Sequence, residues 1–281
     1  MSVMTCYYKS EYVGFETSFT LILPQRKHVR SAASPELLKG SFHRDYPVLF
    51  LLHDEAEGQD EWMHMTSLCR YADQVGLAVV MPNCNRSFYS DYEIRDSKSR
   101  ESDTSIQALQ KFTELMYESY IVRELVPYVR RMFPVSCERR KTFIGGKGMG
   151  GFGALKLGLN HPELFGALFS VSGLADLQWA MDHLEEKREQ FEAIFGGLKA
   201  APGGPEDFAG AIKRLSEAGD LPRIYLTINS GHVYEESNRR LLVAIQRELP
   251  GMTVREIEPE LNWEYLDKKT PEILRWLTEE L

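Results

Sequence analysis

The chain has 281 residues, of which 43% are hydrophobic and 26% are charged, and its formal net charge is -8. This length suits one large domain or two small ones, and the apolar content is sufficient for a substantial core. The acidic balance argues against binding to nucleic acid, which depends on clustered Lys and Arg side chains. Neither a leader-like N-terminus nor an apolar run of about 18 residues is present, so the sequence predicts a soluble cytoplasmic protein.

Apolar runs alternate with stretches of helical period, which predicts βαβ units around a mostly parallel sheet with helices on both faces. We expect a single domain over residues 1–281. The predicted strands cover residues 17–23, 47–52, 77–81, 141–144, 167–171, 223–228 and 253–257. The predicted helices cover residues 62–71, 112–133, 152–159, 237–249 and 270–281.

Two segments are predicted to be insertions into this pattern. Residues 91–105 include a run of nine charged and hydroxyl side chains that is too polar to pack well, which favours a loop. Residues 176–220 combine a charge-rich helical half with a turn made of Ala, Pro and Gly, which suggests a small lid. Excursions of this kind lie at the ends of strands, where we expect them to cover a pocket.

A glycine-rich turn between a predicted strand and a predicted helix is open to two interpretations. Gly146, Gly148 and Gly151 match the G-x-G-x-x-G pattern of dinucleotide-binding turns. That fingerprint normally opens the first βαβ unit and requires an acidic residue at the end of the next strand, whereas the next strand here ends in Ser and Gly. A nucleotide binder is therefore the lesser alternative.

The same turn matches a nucleophile elbow, in which G-x-S-x-G lifts a serine above the sheet on a strained turn. Its flanking positions are Gly146 and Gly150, but its central position is Gly148. Glycine relieves backbone strain at such a position, at the expense of the hydroxyl that would attack a substrate.

Three segments resemble the bacterial family of putative esterases, which includes tributyrin esterases and S-formylglutathione hydrolases. They are residues 46–53 (YPVLFLLH), 76–83 (GLAVVMPN) and 148–155 (GMGGFGAL), and HPE at 161–163 and WEY at 263–265 match as well. The resemblance implies a single α/β-hydrolase domain that cleaves short acyl esters or thioesters through Ser, Asp and His. We expect no cofactor and no metal ion.

The resemblance also places the three catalytic positions, and all three are substituted. The serine position is Gly148, the acid position six residues before Asn238 is His232, and the histidine position two residues before Trp263 is Leu261. Members of the triad follow the chain order Ser, acid, His in this fold. No histidine occurs in the 49 residues after His232 (281 − 232), so a shifted alignment does not restore a base.

The loop after the second predicted strand carries further pocket candidates. The family's His-Gly is replaced by His53-Asp54-Glu55, and the resemblance assigns an oxyanion-binding N–H to this loop and another to Met149. Carboxylates beside a developing oxyanion would oppose catalysis, unless they point outward into water. Lys147 is either a binding cation or, as we favour, a salt-bridged side chain.

The leading hypothesis is an esterase homologue that has lost acyl-ester hydrolysis and serves as a binding or scaffolding protein. A small acyl or ester-like ligand and a homo-oligomer are the expected partners. The alternative is a working hydrolase that uses Ser172, Ser230 or Cys84, although each is typical of a turn or packing residue. The four cysteines of the chain lie far apart in the sequence, which suggests neither a zinc site nor a disulfide framework. The spacing of His53 and His232 matches no metal-binding motif.

Overall fold

The computed structural model describes residues 1–25, 46–93, 114–195, 202–248 and 261–281. The strands of the described chain are β1 (Ser2–Lys9), β2 (Glu16–Leu23), β3 (Val48–Leu52), β4 (Ala78–Pro82), β5 (Asp91–Glu93), β6 (Glu114–Met116), β7 (Thr142–Lys147), β8 (Ala167–Val171) and β9 (Arg223–Thr227). Seven of them form one sheet in the order β1-β2-β4-β3-β7-β8-β9, and β5 pairs with β6 separately. From β4 to β9 the neighbours are parallel, whereas β1 and β2 are antiparallel.

The helices lie between these strands. They are α1 (Glu61–Met65), α2 (Leu68–Val75), α3 (Tyr117–Ser119, continued by a π-helix Tyr120–Leu125 and an α-helix Val126–Met132), α4 (Met149–Asn160), α5 (Leu177–His183), α6 (Glu185–Phe195), α7 (Phe208–Ala218), α8 (Glu235–Glu248) and α9 (Trp263–Thr278). Among the described helices, none combines the length and the apolar character that crossing a membrane requires.

The central strands are buried on both faces because alternate side chains point into two separate apolar clusters. In β3, Val48, Phe50 and Leu52 pack into the larger cluster with residues of α3, α4 and the insertion. Leu49 and Leu51 pack into the other cluster with α2 and α9. Helices therefore cover both faces, and the predicted α/β-hydrolase class with a mostly parallel sheet is confirmed.

Within the described residues the predicted strands and helices overlap with those of the structure, but several bounds differ: α9 begins at Trp263 rather than at 270, and β7 continues to Lys147 rather than ending at 144. The helix predicted over 62–71 is broken at Thr66, whose hydroxyl bonds back to the Trp62 carbonyl, and α2 starts anew at Leu68. The helix predicted over 112–133 starts with β6 within the described part. β1 was not predicted, because its residues alternate between exposed and half-buried. The strand predicted over 253–257 lies outside the described residues.

The two predicted insertions are only partly described. Asp91–Glu93 is the described part of the first one, and it forms β5. In the second, α5, α6 and α7 are described, and α6 and α7 pack onto α4 through an aromatic group. This group consists of Phe88, Phe152, Phe191, Phe195 and Phe208. The division into one domain with two insertions stays a prediction.

Candidate active site

Gly148 forms a sharp turn between β7 and α4. Its φ of 53° and ψ of -119° are unfavourable for any residue with a Cβ. Its N–H donates to the Val171 carbonyl at 3.0 Å, and its own carbonyl accepts the Phe152 N–H at 3.0 Å. A Cβ at Gly146 or Gly150 would lie 2.6 or 2.3 Å from the Leu52 carbonyl oxygen. The flanking glycines thus let α4 approach β3 closely, as an elbow requires.

The space above Gly148 is filled by the carboxylate of Asp54. A Cβ placed on Gly148 would lie 2.3 Å from Asp54 Oδ1 and 2.4 Å from its Cγ. Oδ1 accepts the N–H of Met149 at 2.8 Å and the N–H of Glu55 at 2.7 Å. An internal carboxylate therefore stands where a nucleophile's side chain would begin, and it binds two backbone donors beside the elbow.

Lys147 holds this carboxylate in place. Its ammonium group lies 3.1 Å from Asp54 Oδ2 and 2.6 Å from Glu57 Oε1, and 4.9 Å from the centre of the Trp263 ring. Only 8% of its side chain is exposed. Lys147 is thus engaged in buried ion pairs, as the sequence interpretation favoured over a ligand-binding cation.

The two carboxylates that share Lys147 differ in their protonation behaviour. Burial acts to raise the pKa of Asp54, but Lys147 and the N–H groups of Met149 and Glu55 outweigh it and hold that pKa below its ordinary value. For Glu57, burial prevails over Lys147 and the pKa is raised. Asp54 is therefore the anion that this environment stabilises, because it alone accepts two backbone N–H groups.

His53 lies beneath the loop and fixes its course. Its Nδ1 donates to the Asp54 carbonyl at 2.8 Å, and its Nε2 accepts the N–H of Cys84 at 3.0 Å. Its carbonyl accepts the Tyr89 hydroxyl at 2.8 Å. Burial lowers the pKa of this histidine, consistent with a neutral ring. With both nitrogens bonded to backbone groups, His53 serves to position Asp54.

An open cavity of about 320 Å³ lies next to Gly148. The described residues that line it are Asp54, Glu55, Ala56, Arg86, Gly148, Lys187, His232, Val233 and Tyr234. Lys187 of α6 pairs with Glu55 at 2.7 Å, so the insertion supplies one wall of the cavity. The cavity is accessible, while the space for a side chain on Gly148 is already taken.

The other two predicted triad positions, His232 and Leu261, have different surroundings. His232 lines the cavity; its Nδ1 accepts the Tyr234 N–H at 3.3 Å, and burial lowers its pKa. Leu261 is half-buried just before α9, packs against the apolar cluster on that side, and is not among the described residues that line the cavity. That these are vestigial catalytic positions stays a prediction.

The substitute nucleophiles differ in accessibility. Cys84 is fully buried, and burial raises the pKa of its thiol well above the ordinary value, so its thiolate is disfavoured. The Ser172 hydroxyl is buried, donates to Asn229 Oδ1 at 2.9 Å and accepts the N–H of Asn229 at 2.9 Å. Ser230, on the loop after β9, is exposed.

Two features of the site were not predicted from the sequence. The first is the inward direction of Asp54, for which the only signal was an acidic residue in place of the family's glycine after His53. The second is Arg86, which carried no motif. The described residues hold no group of three or more His, Cys, Asp or Glu side chains arranged for a metal ion.

Comparisons with known proteins show the family to which this chain belongs. The model of the family described as "Putative esterase" matches residues 33–258. An acetyl esterase from Caldicellulosiruptor saccharolyticus is 23% identical, over 99% of this chain and 98% of that protein. Two solved Staphylococcus aureus structures, fluorophosphonate-binding serine hydrolase F and S-formylglutathione hydrolase, share 23% and 24% identity with TM-scores of 0.78 and 0.76. Each alignment covers 99% of this chain and 98% of the other chain.

Proposed function

This chain belongs to the putative esterase family, and from that premise we propose that it is a non-catalytic member that binds small ligands or acts as a scaffold. The observation that carries this proposal is the carboxylate of Asp54 above Gly148. An elbow without a hydroxyl has no group to acylate, and here the vacant space is occupied by a negative charge.

Asp54 also opposes the electrostatic part of ester hydrolysis. Acyl transfer requires backbone donors aimed at the oxygen that becomes negative in the transition state. The N–H groups of Met149 and Glu55 are already bonded to Asp54 Oδ1. A substrate carbonyl would have to displace a carboxylate that is also paired with Lys147. Loss of the nucleophile and occupation of these donors therefore reinforce each other.

The rival function is a hydrolase that uses residues outside the family triad. The names of the relatives favour hydrolysis, and Ser230 provides an exposed hydroxyl on the same loop as His232. A nucleotide site at the start of α4 is less well supported, because Asp54 takes the Met149 N–H that would face a phosphate.

The deciding experiment measures turnover of p-nitrophenyl acetate and butyrate, together with labelling by a fluorophosphonate probe. We expect rates no higher than those of the buffer and no labelled band, with Ser230→Ala behaving like the wild type. Turnover or labelling that Ser230→Ala abolishes would overturn the proposal in favour of the rival. Thermal-shift measurements with saturating NAD, FAD and ATP are expected to show no stabilisation.

A restoration experiment tests the part assigned to Asp54. Gly148→Ser, His232→Asp and Leu261→His together rebuild the three family positions, but a Cβ at position 148 would meet Asp54 at 2.3 Å. We therefore expect esterase activity only when Asp54→Gly is added to the triple variant. Equal activity of the triple and quadruple variants would show that Asp54 does not block the elbow. Circular dichroism controls for folding.

The cytoplasmic location, the acyl or ester-like nature of the ligand and a homo-oligomeric state also belong to this proposal. The acyl part of that ligand is the weakest of them, since the donors that would bind its carbonyl are taken. Size-exclusion chromatography with light scattering tests the oligomeric state directly, and a monomer at all concentrations would contradict it.

A further inference from the structure

The described lining of the cavity beside Gly148 includes two acidic side chains, Asp54 and Glu55, and two basic ones, Arg86 and Lys187. Asp54 is paired with Lys147, and Glu55 with Lys187. Arg86 lines the same cavity and makes no hydrogen bond or ion pair with the described residues. Among the described residues, the Arg86 guanidinium therefore has no anionic partner.

The loop that carries Arg86 is held in a strained conformation. Asn85, Phe88 and Tyr89 have φ values of 46°, 48° and 51°, which are unfavourable for residues with a Cβ, least so for Asn. Contacts with residues of the site stabilise this strained backbone. The Phe88 N–H approaches Met149 Sδ at 3.4 Å, and the Tyr89 hydroxyl donates to the His53 carbonyl. The backbone that presents Arg86 is therefore anchored to the elbow and to the loop of Asp54.

His232 supplies a second donor to the same cavity. Because its Nδ1 accepts the Tyr234 N–H, the proton of the neutral ring resides on Nε2. Ala56 and Val233 add apolar surface, and Val233 is exposed. A guanidinium, an imidazole N–H and apolar side chains around about 320 Å³ suit a small organic ligand with one anionic group.

We propose that this cavity binds small organic monocarboxylates, with the carboxylate on Arg86 and His232. This inference rests on the proposed function, since it requires a site that does not perform acyl transfer. A ligand with a second negative charge is disfavoured, because Asp54 and Glu55 line the same space. A neutral ester or amide lacks the charge that Arg86 would bind.

The test is a calorimetric and ligand-observed NMR titration with sodium acetate, butyrate and benzoate at constant ionic strength. We expect binding of at least one of these monoanions, and at least tenfold weaker binding of benzamide, succinate and inorganic phosphate. Arg86→Gln is expected to weaken the carboxylate about tenfold, corresponding to about 1.4 kcal/mol. Arg86→Lys should retain part of the affinity.

Arg70→Gln is the matched control, because Arg70 is an exposed arginine of α2 that is not among the described residues lining the cavity. It is expected to bind like the wild type. Failure of all three monocarboxylates to bind, or equal effects of the Gln substitutions at 70 and 86, would overturn the inference. p-Nitrophenyl butyrate turnover is measured on the same preparations: turnover contradicts the proposed function, whereas absent binding without turnover contradicts only the carboxylate site.

Discussion

Two buried lysines near the start and in the body of α4 each contact two carboxylates, yet they serve different purposes. The elbow cluster consists of Lys147, Asp54 and Glu57, and the helix cluster of Lys156, Glu118 and Glu206. The lysine side chains are 8% and 4% exposed. Charge and burial are thus almost matched in the two clusters.

The partners of the carboxylates make the difference. Asp54 also accepts two backbone N–H groups beside the elbow, while Glu206 ties the segment before α7 to α4 and Lys156 further donates to Ser90 Oγ at 2.8 Å. The helix cluster therefore attaches the insertion to α4, whereas Asp54 of the elbow cluster occupies the space above Gly148. A buried lysine with two acids does not mark a functional site unless backbone donors converge on one of the acids.

The largest effect is expected from removing either lysine. Lys147→Met and Lys156→Met each leave two carboxylates without their cation, and breaking a buried pair costs about 3–5 kcal/mol. Urea unfolding at pH 7 measures the loss, and Glu57→Gln or Glu206→Gln in the same background should recover part of it. A loss below about 1 kcal/mol for only one lysine would show that the two clusters are not energetically alike.

The next effect concerns the dependence of the elbow cluster on pH. The pKa of Asp54 is lowered in the folded state, so its contribution to stability is present above its ordinary value near 3.9 and is lost as pH falls through the folded pKa. We expect Asp54→Asn to cost about 2 kcal/mol at pH 7, as charged hydrogen bonds do, and progressively less as the pH falls below the ordinary pKa. Urea titrations from pH 3 to 7 measure this difference.

Glu57→Gln is the control for this experiment. Burial raises the pKa of Glu57, so its charged form is disfavoured by folding and its contribution has the opposite sign, improving as pH falls. The Gln variant should therefore keep the acid-dependent loss that Asp54 causes. If Asp54→Asn shows the same pH profile as the wild type, the carboxylate is not the stabilised anion of the elbow.

The sequence predicted the strands and the elbow around these clusters, but it did not predict the direction of Asp54. Strand positions followed from apolar runs, because β3, β4 and β8 are buried on both faces. The elbow followed from its glycines, since close packing admits no Cβ at Gly146 or Gly150. The direction of Asp54 was open, because it depends on Lys147 from β7 and on the N–H groups of Met149, at the start of α4, and of the neighbouring Glu55. Such contacts leave no periodic signal in the sequence.

The smallest effect concerns the link between the insertion and the filled site. Lys187 and Glu55 are 22% and 20% exposed, so Lys187→Gln should cost at most about 1 kcal/mol while speeding hydrogen exchange in α6. Glu55 contacts both the insertion and the elbow cluster, because its side chain pairs with Lys187 and its N–H donates to Asp54.

A double-mutant cycle that combines Lys187→Gln with Asp54→Asn is therefore expected to show a coupling of about 0.5–1 kcal/mol, measured by urea unfolding at pH 7. Lys156→Met combined with Asp54→Asn is the matched comparison, and it should be additive because the two clusters share no residue. Equal coupling in both cycles would mean that the insertion senses the elbow through α4. Coupling found only in the cycle with Lys187 would mean that Glu55 alone connects the insertion to the elbow cluster. The position of Asp54 above Gly148 and the packing of α6 would then both depend on this one residue.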